Sequence, residues 1–155
     1  MSSTSKTLQK FSHYYIVATV AIAGIEFMSH MAGWGFPTGM GAIAMVAAAG
    51  GAGHSLGQQL DERPASGLLW SLAFKMLLIS IGISIVFNLI LALILTPVIG
   101  FNWIEAIMTL GAKLISDLGL TMIALLTLFV LLLHFLMGRL MLGLGIKWGM
   151  KRPTA

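Results

Sequence analysis

Apolar positions in this chain fall into long blocks, separated by short breaks of glycine, proline or charge. Blocks of this length match helices that cross a hydrocarbon core, which needs about 20 apolar residues. The first block runs from Phe11 to Met31, with Tyr14 and Tyr15 at its start as interface anchors. Met1 to Lys10 before it is polar, basic and rich in Ser and Thr, and reads as a cytoplasmic N-terminal tail. The block lacks a small-residue cleavage site at a suitable distance, so it is expected as a retained span and not a signal peptide. Gly33-Trp34-Gly35-Phe36-Pro37-Thr38-Gly39 follows as a helix-breaking turn whose aromatics suit the opposite headgroup layer.

The second block, Met40 to Leu60, is built almost wholly of small residues and inserts weakly by itself. Ala49, Gly53 and Gly57 recur every four residues, a face that lets two helix backbones come close. This face is the expected packing surface of the protein. Gln58 to Ser66, with Asp61, Glu62, Arg63 and Pro64, is a short charged loop. The third block, Leu68 to Leu95, is longer than a bilayer requires and is expected to tilt. Lys75 near its start snorkels back to the headgroups. Thr96, Pro97 and Gly100 end it.

Phe101 to Asp117 mixes Glu105, Lys113 and Asp117 with Trp103, Ile107 and Leu110, the spacing of an amphipathic helix lying on the outer face, with a simple exposed loop as the alternative. A fourth span then runs from Leu118 to Gly145. Residues 147–155, with Lys147, Trp148, Lys151 and Arg152, form a basic C-terminal tail. The fold class expected is all-α: one membrane domain over residues 11–146, a bundle of four transmembrane helices with an outer amphipathic helix.

Composition agrees with the pattern. Of 155 residues 58% are hydrophobic and 9% charged, against about 25% charged in a soluble domain, and the mean hydropathy is +0.97. The net charge of +4 comes from Lys and Arg at the ends of apolar blocks, so it signals orientation and not a nucleic-acid partner. Lys6, Lys10, Arg63, Lys75, Arg139, Lys147, Lys151 and Arg152 collect on one side and Lys113 alone on the other, which places both termini in the cytoplasm. The chain has no Cys, so disulfides, thiolate metal sites and cysteine nucleophiles are excluded.

Few residues could carry chemistry. Glu26 and His30 lie four apart on the first span, and Ser80, Ser84 and Asn88 form a polar stripe on the third. An intramembrane carboxylate is a functional hypothesis by default. It reads either as a proton or cation site or as a hydrogen-bonded group that satisfies a neighbouring helix through Asn88. His54 and His134, on the second and fourth spans, are the one pair that could ligate a b-type haem if their helices faced each other. The plainer reading is that each donates to nearby oxygens, and no cofactor is expected. Gly53-His54-Ser55-Leu56-Gly57 matches G-x-S-x-G, but that motif acts on a strand-to-helix turn, and no strands are readable. The 11 Met residues are scattered, which gives a copper pathway no support. Arg139 is expected to reach Asp61 or Glu62 and pin the charged loop to the bundle.

The run Gly39-Met40-Gly41-Ala42-Ile43-Ala44, then Ala47-Ala48-Ala49, Gly57 and Arg63-Pro64, resembles the ABZJ-type family of small proteobacterial membrane proteins. Ile83-Ser84, and Arg139 with Gly143, Gly145 and Lys147, extend the likeness over about half of the chain. Where the family pattern has a charged residue soon after Arg-Pro, this chain has Gly67-Leu68-Leu69-Trp70. The resemblance implies a four-helix protein of the bacterial inner membrane and carries no established activity.

The function expected is therefore non-catalytic: a small accessory or scaffold protein in the bilayer, packing against itself or a larger membrane complex. The alternatives are a small transporter or channel with a polar path at Glu26, Ser84 and Asn88, and a haem-bearing electron-transfer subunit.

Overall fold

The computed structural model describes residues 3–33, 41–99 and 103–150, all helices and short connections. They form α1 (Ser3–Met31), α2 (Gly41–Gly57), α3 (Ser66–Ile99) and α4 (Trp103–Gly149). The all-α membrane class holds. Three helices are long and apolar enough to cross a bilayer, over Thr4–Ser29, Ser66–Ile94 and Ile107–Gly149. The remaining expected span, the second block, is α2, which rises only about 26 Å. It sits at the short end of what can span and is also the most enclosed of the four helices, with Ala44, Met45, Ala48, Ala49, Ala52 and Leu56 all buried.

The element boundaries differ from the hydropathy pattern chiefly in three places, and α4 also runs to Gly149, past the expected end at Gly145. α1 begins at Ser3, so the expected tail is its first two turns. Thr7 and Phe11 are buried there, and Phe11 stacks on Tyr15 at 5.7 Å between ring centroids. Packing, which hydropathy does not register, extends the helix through polar sequence. α3 continues through Pro97 to Ile99. The expected surface helix and last span form one element, α4, broken at Gly119, whose φ of 74° and ψ of 150° are non-helical. That break lies one residue from the start expected for the span. The turn at 34–39, Gly100 and the Lys151-Arg152 pair lie outside the described residues, and so do the side chains of His30 and Trp103.

Two units can be separated. The first comprises Met1–Ser80 and His134–Ala155. Here α1 and α2 run antiparallel, since Lys10 Nζ donates to Ser55 Oγ and the Tyr14 ring lies against Gly51. α3 and α4 are also antiparallel, with Trp70 and Phe74 both against Phe135 at 5.3 and 6.5 Å. α2 and α4 run in the same direction: Met45 meets Gly138, Gly50 meets Gly145, and His54 meets Gly149. The start of α1, the end of α2, the start of α3 and the end of α4 therefore share one end of this unit. At the far end, α1 stops in a left-handed glycine cap, Gly33 at φ 68°, after Ala32 N–H donates to the Met28 carbonyl.

The second unit, Ile81–Leu133, holds the rest of α3 and the α4 segment that contains the Gly119 break. None of its described residues is buried. Leu93, Met108 and Leu120 are 76%, 71% and 70% exposed, so in water these helices would have no interior.

Candidate functional site

Helices α2 and α4 meet backbone to backbone. A methyl group added at Gly53 would strike the Leu142 carbonyl and come within 3.2 Å of the Ile146 nitrogen. One at Gly57 would strike the Ile146 carbonyl. The opposing helix is equally bare: a methyl at Gly145 would strike the Gly50 carbonyl, and one at Gly149 the His54 carbonyl. Ala49, one turn before Gly53 on the same helix face, is fully buried. The small-residue stripe of Ala49, Gly53 and Gly57 is thus a close-packing face, and the chain's own α4 fills it. The Gly145-x-x-x-Gly149 repeat that completes the seam is readable as a small-xxx-small signal and was overshadowed by its place beside the basic tail.

The parallel register also separates the two histidines proposed for haem. Gly149 lies against His54, and His134 precedes Gly149 by roughly 22 Å of helical rise. Two axial ligands must converge on one iron, and these cannot. His54 is exposed, with its Nε2 3.2 Å from Gln58 Nε2. His134 is half-buried.

Two side chains of the polar stripe on α3 make local bonds. Ser80 Oγ donates to the Leu77 carbonyl at 2.8 Å, and Asn88 Nδ2 to the Ser84 carbonyl at 2.7 Å, each back onto its own helix. Glu26 is exposed on α1 in the first unit, whereas Ser84 and Asn88 belong to the second. Among the described residues no group of three or more His, Asp or Glu could hold a metal ion.

Arg139 does not pin the charged loop through Asp61 or Glu62, which are both exposed. It turns to the start of α3. Its guanidinium carbon sits 4.0 Å above the Trp70 ring, and Nη2 donates to Ser66 Oγ at 3.5 Å. Its Nε is shielded from solvent and has no acceptor. The sequence reading missed Trp70 and Ser66 as its partners. The available signal was Phe135 and Arg139 four apart on α4, a spacing that presents one aromatic and one cation to the same facing helix.

Beside Arg139 a pocket of ≈ 340 Å³ opens between the α2–α3 loop, the first turn of α3 and the last turns of α4. Arg63, Pro64 and Ser66 line one side, Arg139, Gly143 and Leu144 the other. No carboxylate lines it. Its depth follows from register. α2 ends level with Gly149, but α3 begins level with Arg139, roughly 15 Å back along α4. The loop must climb back between the two, and the pocket lies alongside it.

Compared with protein-family models, with curated proteins and with solved structures, the chain matches none.

Proposed function

We propose that this chain is a small non-catalytic accessory or scaffold protein of a bacterial inner membrane, with both termini on the cytoplasmic side. One observation carries the reading: the chain divides its labour. The first unit closes on itself through a glycine seam at backbone contact, as a rigid anchor needs. The second is rich in large apolar side chains, and none of its described residues is buried. Leu120, Leu125, Leu128 and Phe129 all lie between 57% and 70% exposed. Such a surface suits packing against the helices of another membrane polypeptide, where van der Waals contact between side chains drives association.

A photo-crosslinking residue at Leu128, activated in native membranes, tests this. The expected product is a discrete polypeptide adduct, with a second copy or a larger partner distinguished by mass. Adducts with lipid alone would overturn the proposal.

A further inference from the structure

We propose that the pocket between Arg63 and Arg139 is a binding site for an anionic phosphate group. Three independent features converge on it. The first is unanswered positive charge. Arg139 has five N–H donors in a planar fork, yet its contacts are one ring face and one long bond to Ser66, and its shielded Nε has no acceptor. Arg63 lines the pocket across from Arg139 and brings a second positive charge to it, and none of the lining residues is acidic. Asp61 and Glu62, the nearest acids in sequence, are exposed and outside the lining.

The second feature is the start of α3. Its first-turn residues Ser66 and Leu69 line the pocket, and that turn contains no acidic residue to answer the helix dipole. The Leu68 and Leu69 N–H groups are taken by the Ala65 carbonyl, which leaves those of Ser66 and Gly67; unbonded N–H groups at a helix start favour an anion, and here they lie beside the Ser66 hydroxyl and the arginines. Guanidinium forks match the geometry of phosphate oxygens.

The third is shape. The volume lies at the low end of the ~300–1,000 Å³ typical of small-ligand pockets, and Leu140, Gly143, Leu144 and Ile146 make one wall apolar. A methyl group added at Gly143 would meet nothing within 4 Å. The pocket owes part of its room to that missing side chain. A lining that combines two arginines with Leu69, Leu140, Leu144 and Ile146 suits a phosphate that carries a hydrophobic body, as an anionic phospholipid headgroup does. A soluble phosphate is the other source of the same chemistry.

The test uses the full chain purified in neutral detergent. Native mass spectrometry follows the titration of phosphatidylglycerol and of phosphatidylcholine, and thermal unfolding is followed with inorganic phosphate. Three variants accompany the wild type: Arg139→Gln, Arg63→Gln and Gly143→Leu. Arg63 is exposed and Gly143 faces open space, so these two variants keep the fold even if Arg139→Gln loosens it. The expected result is preferential retention of phosphatidylglycerol, weakened on the order of tenfold by either charge removal and abolished by Gly143→Leu. Stabilisation by inorganic phosphate that is lost in the same variants would assign the site to a soluble phosphate. Equal retention of both lipids with no phosphate effect, or binding unchanged in Arg63→Gln and Gly143→Leu, would overturn the proposal.

Discussion

At the scale of single residues, the glycines of α2 are not equivalent, although the sequence runs them together. Gly50 and Gly53 sit within one turn of each other. A methyl at Gly50 would meet nothing within 4 Å, whereas one at Gly53 would collide with the backbone of Leu142. Carbonyl backbone cannot rotate away as a side-chain tip can, so the helices would have to separate. Gly50→Ala should therefore be neutral, or stabilising by up to about 1 kcal/mol through helix propensity. Gly53→Ala should destabilise by about 1–3 kcal/mol, the usual range for overpacking. Thermal unfolding of the two variants in the same detergent checks the contrast, and equal melting temperatures would refute the seam. A four-residue repeat identifies the face on which small residues matter. It does not identify which members of a Gly-Gly-Ala-Gly run touch the partner backbone, because that depends on the rotation of α4.

At the scale of elements, α4 is governed by Gly119. Its φ of 74° and ψ of 150° lie in a region open essentially to glycine alone, at a cost of order 1–3 kcal/mol for other residues. Gly119→Ala should drive this position to helical angles and straighten the element. Spin labels at Leu110 and Leu128 would then report the roughly 27 Å rise of an unbroken helix, unlike the parent protein. An unchanged distance would mean that the surroundings enforce the break whatever residue stands there. This break was legible: the Glu105, Lys113 and Asp117 charges stop just before it and an uninterrupted apolar run begins just after. Other features were not. The first turns of α1 look like a tail because Ser, Thr and Lys dominate them, and the pattern does not register the burial of Thr7, Phe11 and Tyr15 along that helix. The partners of Arg139 were hidden for a related reason. Coulombic reasoning pairs it with Asp61 or Glu62, whereas the level at which α3 starts puts Trp70 and Ser66 within reach first. Side-chain spacing encodes the faces of a helix but not its offset along a neighbour.

At the scale of the molecule, the contacts bring the basic residues to one end of the first unit. Lys10 meets Ser55, Gly149 meets His54, and Arg139 meets Ser66, so Lys6, Lys10, Arg63 and Lys147 lie toward the same end. The count of charges made from sequence presupposed alternating spans. The antiparallel α1–α2 and α3–α4 pairs and the parallel α2–α4 seam supply that alternation for the first unit independently of charge. On this arrangement the positive-inside bias predicts that the basic end faces the cytoplasm. With no Cys in the chain, each introduced thiol is unique. Gln59→Cys places one in the exposed α2–α3 connection, and Ala32→Cys places one in the exposed turn after α1, at the opposite end. In intact cells a membrane-impermeant maleimide should label the Ala32→Cys protein and leave the Gln59→Cys protein unlabelled until the membrane is opened. The reverse pattern would invert the orientation. It would also move the arginine-lined pocket away from the cytoplasmic leaflet, where anionic headgroups are concentrated.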